Sequence, residues 1–230
     1  MNVLKQSLAF YREHFFKILL IGSVFVLPVL FLGFLVIGVI YKYYNLYNLT
    51  LLADAFYSFA ILLTIMFVQI PFVQMVKDEV LEDGLSLRSA FVSILKYGFI
   101  IYVMGIFYAI AVIIGSILFI IPGFIIMVLL FSFPQAIILE EEKWKEALKS
   151  AFQFGKQNLF KLLIFILLFT IGEWVVEFVV QFVTINFITL RYLYIILILL
   201  FTNMLFIPLF SFITSFKFLD WSGEIDLEEY

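Results

Sequence analysis

Residues 98–139 read GFIIYVMGIFYAIAVIIGSILFIIPGFIIMVLLFSFPQAIIL, and none of these side chains carries a charge. A helix needs about 20 apolar residues to cross the hydrocarbon core of a membrane. The stretch is long enough for two crossings, and Pro122-Gly123 is a turn signal near its middle. We therefore predict a helical hairpin over 98–139. The alternative is a single bent or re-entrant unit.

The rest of the chain has the same apolar character. Apolar residues make up 65% and charged residues 13% of its 230 residues, against about a half and about a quarter in soluble domains. A water-soluble domain of this size cannot bury so much apolar surface. We predict an all-α fold, a polytopic transmembrane helical bundle with six spans at 18–41, 51–76, 98–120, 124–139, 161–185 and 192–216.

Basic residues are distributed unevenly between the two ends of these spans. With the N-terminus inside, only Lys42 and Arg191 lie outside. Short cytoplasmic loops generally carry the excess of Lys and Arg. We therefore predict a multi-pass protein of the cell membrane with both termini in the cytoplasm. The predicted cytoplasmic residues are Lys5, Arg12, Lys17, Lys77, Arg88, Lys96, Lys143, Lys145, Lys149, Lys156, Lys161 and Lys217.

An internal repeat is indicated by two ranges that match at a fixed offset, 4–17 and 148–161. A weaker copy begins at Arg88, and the three inward spans contain Pro71, Pro134 and Pro208. We predict one transmembrane domain, 1–220, made of three units (about 1–78, 79–139 and 140–220), and an acidic cytoplasmic tail, 221–230. Each unit is an interfacial helix plus a helical hairpin. The matched pairs are Leu4 and Leu148, Lys5 and Lys149, Phe10 and Phe154, Arg12 and Lys156, Phe16 and Phe160, and Lys17 and Lys161.

The interfacial helix of the third unit is amphipathic. Its apolar residues recur at helical spacing over 143–159, and Lys145, Lys149 and Lys156 fall mostly elsewhere. Such a helix can lie in the headgroup region with its lysines towards anionic lipid. We predict these three lysines as anionic-lipid contacts. The alternative is that the helix only caps the cytoplasmic face of the bundle.

The fifth span contains the most unusual polar residues. Glu173, Glu177 and Gln181 recur at i, i+4 and i+8 and so share one helix face. A carboxylate at this depth costs about 2–3 kcal/mol or more to insert. One interpretation is an intramembrane site for a proton, a cation or an amine-bearing ligand. The other is structural, with hydrogen bonds to Asn203 or Thr202 of the sixth span and Arg191 pairing with Glu177.

Few residues offer familiar catalytic or metal-binding chemistry. The chain has no cysteine and one histidine, His14, which is expected to face solvent or headgroups beside Glu13. No nucleotide-binding loop, nucleophile elbow or paired-histidine metal motif occurs. Basic residues are not clustered with stacking aromatics, as nucleic-acid binding would require. We predict a protein that is not an enzyme, with no cofactor, no metal site and no nucleic-acid partner.

One string of residues resembles a known family. It consists of Ile121-Pro122-Gly123, an apolar run, Phe133-Pro134, Leu139-Glu140 and then 146–150, EALKS. The string resembles prokaryotic six-helix membrane proteins that include the membrane domain of some glycerophosphoryl diester phosphodiesterases and related uncharacterised inner-membrane proteins. In those phosphodiesterases a separate soluble domain hydrolyses the substrate. The resemblance therefore implies a fold but assigns no catalytic residue.

Two functions stay open on the sequence. The first is a non-enzymatic envelope or accessory protein that organises lipid or a partner membrane protein. The second is a transporter or permease subunit that uses the carboxylates of the fifth span. Six spans would usually need a second copy or a partner subunit to enclose a path. The expected partners are membrane lipids and either another membrane protein or further copies of the chain in a homo-oligomer.

Overall fold

The computed structural model describes residues 3–81, 84–188 and 190–224, and its regular structure over these ranges is entirely helical. One π-helical turn, Gly22–Val26, lies between two α-helices, and another, Thr184–Ile188, extends the end of a third. The α-helices of the described residues are α1 Val3–Glu13, α2 Phe15–Ile21, α3 Leu27–Leu46, α4 Thr50–Val68, α5 Ile70–Leu81, α6 Leu87–Leu118, α7 Ile120–Leu130, α8 Phe133–Leu139, α9 Trp144–Gln157, α10 Leu159–Val183 and α11 Tyr192–Ser222.

Six helical segments of the described residues are long and apolar enough to cross a membrane. The all-α class and the six apolar segments are thus confirmed. Most segments extend beyond the predicted spans, because a helix can continue past the apolar run into polar residues such as Lys17 and Lys77. The segments, called first to sixth below, are Phe15–Leu46, Thr50–Val80, Leu87–Leu118, Ile120–Leu139, Leu159–Ile188 and Tyr192–Ser222.

The third and fourth segments form the predicted hairpin, with the turn slightly earlier than expected. Only Phe119 separates them, and its backbone is extended. Pro122 lies in the first turn of α7, where the missing N–H of proline costs little. Close approach requires glycine at position 123, because a Cβ there would lie 2.7 Å from the Cα of Ser116.

The most continuously buried part of the core lies in the second halves of the second, fourth and sixth segments. The chain is buried throughout 68–78 and 131–139, and almost throughout 211–219. In each of these segments the buried stretch begins within a few residues of a proline, which is Pro71, Pro134 or Pro208. The helix is interrupted just before Pro71 and Pro134 but is continuous past Pro208. Nearby, the Tyr11 hydroxyl of α1 donates to the carbonyl of Leu205 at 3.1 Å and so joins α1 to α11.

Three contacts between helices fix the order of packing around this core. Helix α6 packs on α5, α9 packs on α8, and α1 packs on α11, while α5, α8 and α11 contact one another. Of the three predicted units, the first and the third each have a separate amphipathic helix, α1 and α9. In the second unit the corresponding residues begin the single long helix α6. Asp78 accepts hydrogen bonds from Ser86 N and Ser89 Oγ and so fixes the start of α6.

Packing corrects the expectation for His14 and adds detail at the C-terminal end of the last helix. His14 is expected to be solvated, but its side chain is only 10% exposed, because it lies at the bend between α1 and α2 against the ring of Phe10. The acidic tail is expected from 221, but α11 continues to Ser222, and Trp221 packs on Phe154 and donates to Gln157. Residues 225–230 of that tail lie outside the described residues.

Candidate functional site

The fifth segment lies at the edge of the bundle. None of its most apolar 18-residue window is buried. Its main neighbour is α11, and it also contacts α7 and α9. Because Glu173, Glu177 and Gln181 belong to the single helix α10, they share the predicted face. Glu173 and Glu177 are half-buried there and Gln181 is exposed.

Glu177 is tied to the sixth segment by the hydrogen bond expected of a structural residue. Its Oε1 accepts from Asn203 Nδ2 at 2.7 Å, and the same Nδ2 lies 3.2 Å from the carbonyl of Leu199. Thr202, the other expected partner, donates instead to the carbonyl of Ile198 in its own helix. Arg191 directly precedes α11 and has an exposed side chain.

Glu173 faces a different environment, a cavity of about 620 Å³ between the helices. Asn203 and Gln69 also line this cavity, and most of the remaining wall is apolar. A single carboxylate in an apolar wall can recognise a ligand that combines an apolar body with a cationic or hydrogen-bond-donating group. Much of the apolar wall is formed by Leu30, Phe34, Ile37, Ile61, Leu62, Ile65, Met66, Phe124, Met127, Phe131, Ile166, Leu167, Phe169, Leu200, Ile207 and Phe210.

The lysine helix α9 presents three parallel strips. Its buried strip, Ala147, Ala151, Phe154 and Gly155, packs on α7 and α8. The next strip is apolar but exposed and consists of Trp144, Leu148 and Phe152. Beyond it lie the exposed side chains of Lys145, Lys149 and Lys156. An exposed apolar strip bordered by lysines is the surface expected of a helix in the headgroup region.

A buried polar cluster at the centre of the core was not predicted. Gln135 Nε2 donates to Gln69 Oε1 and to Thr214 Oγ1, each at 3.1 Å, and so joins α8 and α11 to the break between α4 and α5. Gln135 Oε1 and the hydroxyls of Ser132, Ser211 and Ser215 are buried without a hydrogen-bond partner among the described residues. Sequence reasoning could have found the cluster, because Gln69 and Gln135 lie in apolar spans beside Pro71 and Pro134.

A charged cluster at the predicted cytoplasmic end was also missed. Glu141 Oε1 lies 2.7 Å from Lys77 Nζ, 3.0 Å from Lys96 Nζ and 3.1 Å from the Tyr97 hydroxyl. Glu141 has a φ of 51°, which is uncommon for a non-glycine residue. Hydrogen bonds from Lys77, Lys96 and Tyr97 lower the pKa of Glu141 to about 2. The contacts therefore hold an ionised carboxylate between three segments.

The neighbouring carboxylate behaves differently. Burial raises the pKa of Glu140, although a hydrogen bond from Ser150 Oγ at 2.9 Å opposes this effect. Because Ser150 belongs to α9, Glu140 connects the end of the fourth segment to α9. Glu141 connects the same end to the second and third segments. The cluster is an anchor between helices.

The chain matches no protein-family model, no curated protein and no solved structure in the comparisons. The family resemblance of the Pro-Gly hairpin and its flanking residues therefore stays a prediction.

Proposed function

We propose that the protein spans the cell membrane six times, with the charged end of the bundle and both termini in the cytoplasm. The six apolar segments support this proposal. So do the large exposed apolar side chains of the fifth segment, among them Phe160, Trp174 and Phe178, because such a surface is stable in lipid and not in water. The excess of Lys and Arg at one end supports the orientation.

We further propose that the bundle is a three-fold repeat. Each unit begins with a helix that packs on the inward span of the unit before it, and α1 of the first unit closes the ring on α11 of the third. Burial supports the same alignment, because Ser7 and Phe10 of α1 and Ala151 and Phe154 of α9 are buried at matched positions. In α6 the matched residues Ala90 and Ser93 are buried as well.

The function that the geometry supports best is non-enzymatic organisation of anionic lipid at the cytoplasmic surface, in an envelope or accessory role. The observation that carries it is the pairing of an exposed apolar strip with a row of lysines on α9. Helix α1 has the corresponding surface, with exposed Leu4 and Leu8 beside exposed Lys5 and Arg12. If such a helix only capped the bundle, its exposed face beside the basic residues would be expected to be polar and not apolar.

Substituting the lysine row tests this function. Changing Lys145, Lys149 and Lys156 to Gln should remove about 1 kcal/mol of attraction to anionic lipid per residue. Lys149→Gln alone should therefore weaken the preference for anionic lipid about fivefold. The measurement is the ratio of anionic to zwitterionic lipid retained by the protein in mixed nanodiscs, by native mass spectrometry.

The matched control is Lys143→Gln, which removes the same charge next to the helix but outside the lysine row. It should change the lipid ratio less than Lys149→Gln. If the triple variant retains anionic lipid as the parent does, α9 only caps the bundle and the proposed function is wrong.

A second candidate function, transport or binding of an amphiphile, is favoured by the cavity beside Glu173. The cavity reaches from Glu173 and Asn203 to Gln69, which belongs to the polar cluster of the core. Its ligand would be an apolar molecule with an amine. Glu173→Gln should abolish saturable binding of a fluorescent lipophilic amine, and Glu177→Gln, which stands outside the cavity wall, should keep it. Equal binding by both variants would remove this candidate.

A further inference from the structure

The bend between α1 and α2 brings three potential metal ligands together. Glu13 and His14 lie at the bend, and Glu79 lies near the end of α5. One ligand atom of each residue lies within 4.8 Å of those of the other two. His14 Nε2 is 3.7 Å from Glu79 Oε2, which is too long for a hydrogen bond. Ligand atoms around one ion with bonds of about 2.0–2.2 Å need separations of this order.

The imidazole supplies an independent reason to look for a ligand. The His14 side chain is nine-tenths buried, and its Nε2 has no hydrogen-bond partner among the described residues. A buried polar atom without a partner is costly. Phe10 packs edge-on against the ring, with centroids 4.6 Å apart, and helps to hold it with Nε2 towards Glu79. Glu13 and the partly exposed Glu79 leave the site open to solvent on one side.

We propose that Glu13, His14 and Glu79 bind a divalent transition-metal ion of the Zn²⁺ class. One imidazole nitrogen and two carboxylates are a donor set that such ions accept with a further position left for water. Mg²⁺ and Ca²⁺ prefer sites made of oxygen ligands alone and should bind weakly. The bound ion joins α1 to α5, so it fixes the basic helix of the first unit to the first inward span. This site is independent of the lipid-organising function proposed above.

The composition of the chain makes the test unusually direct. His14 is the single histidine and the chain has no cysteine. In protein labelled with ¹⁵N-histidine and purified without a histidine tag, every imidazole signal belongs to His14. Titration with Zn²⁺ should shift the Nε2 resonance in one saturable step, and Mg²⁺ at the same concentration should not. Zn²⁺ should also raise the unfolding temperature, because it binds only the folded arrangement.

Substituting the two carboxylates, Glu13 and Glu79, tests the site without requiring that a His14 variant folds. Glu13→Gln and Glu79→Gln should each weaken Zn²⁺ binding by more than about tenfold, since loss of even an outer-shell partner has an effect of that size. Glu146→Gln, an exposed carboxylate on α9, is the control and should bind Zn²⁺ as the parent does. An imidazole resonance that Zn²⁺ leaves unchanged would overturn the proposal. So would equal Zn²⁺ affinities of the parent and of Glu79→Gln.

Discussion

Glu173 and Glu177 lie one helical turn apart on the same helix face, yet the structure gives them different surroundings. Glu177 accepts a short hydrogen bond from Asn203, and Glu173 lines the cavity. The sequence predicted the shared face because i, i+4 spacing follows from helix geometry alone. It could not distinguish the two carboxylates, because that depends on where α11 places Asn203 and where the helices leave space.

Substitutions at Glu177 should separate hydrogen bonding from charge. Glu177→Gln keeps an acceptor for Asn203 and removes the cost of burying a carboxylate, so its unfolding temperature should equal or exceed that of the parent. Glu177→Ala leaves Asn203 Nδ2 without this acceptor and should lower the free energy of unfolding by about 1–3 kcal/mol. Thermal unfolding in detergent measures both. A Gln variant as unstable as the Ala variant would show that the charge itself is needed.

The free energy of unfolding of the protein should depend on pH through the carboxylate of Glu141. Its pKa in the folded protein, about 2, is below the ordinary value of about 4.3. The ionised side chain therefore contributes its full stability above about pH 4.3, and this is lost as the pH falls towards 2. Glu141→Gln should lower the free energy of unfolding by about 0.2–1 kcal/mol at neutral pH, because the carboxylate is more than half exposed and water screens its ion pairs. In denaturant titrations its difference from the parent should shrink below about pH 4. A difference that stays constant down to pH 3 would contradict this account.

At the scale of helices, the sequence predicted which helices exist better than it predicted how consecutive helices are joined. Uninterrupted apolar runs predicted the six segments, and matched residues predicted the similar amphipathic helices α1 and α9. The continuous helix α6 was not predicted, because no residue signal in the sequence shows that its first turns run unbroken into the third segment. Its start is fixed by the Ser86 side chain, which accepts from Ser89 N, and by hydrogen bonds from Ser86 N and Ser89 Oγ to Asp78 at the end of the preceding segment. The bend at His14 depends on packing against Phe10 in the same way.

The close packing of α9 against α7 depends on one glycine, Gly155. A Cβ on Gly155 would lie 2.6 Å from the Cα of Leu129, and backbone atoms cannot move aside as a side chain can. Gly155→Ala should therefore force α9 away from α7 and lower the free energy of unfolding by about 1–3 kcal/mol or more. Thermal unfolding in detergent measures the loss.

Gly172→Ala is the matched control, because a Cβ on Gly172 meets nothing within 4 Å. It should be neutral or stabilising, since alanine favours a helix more than glycine does. Equal losses in both variants would contradict the packing described here.

At the scale of the whole molecule, the distribution of charge and burial supports one orientation. Salt bridges from Lys77 and Lys96 to Glu141 gather at one end of the bundle, with the bend at His14. At the other end the described residues offer weaker polar contacts, such as Tyr41 with Asp54 at 3.3 Å. The sequence predicted this polarity from its lysines and arginines. It did not predict that the continuously buried stretches lie in the second, fourth and sixth segments, because all six segments are comparably apolar and only packing distinguishes them.

The most direct test of the account is which end of the bundle faces the outside of the cell. The chain has no cysteine, so single cysteines can be introduced at Asn45 and Asn186, at the predicted outer end, and at Ser86 and Gln153, at the predicted cytoplasmic end. In intact cells an impermeant maleimide should label the first pair and leave the second unlabelled until the membrane is permeabilised. Labelling of Ser86→Cys or Gln153→Cys in intact cells, with Asn45→Cys and Asn186→Cys protected, would contradict the predicted topology.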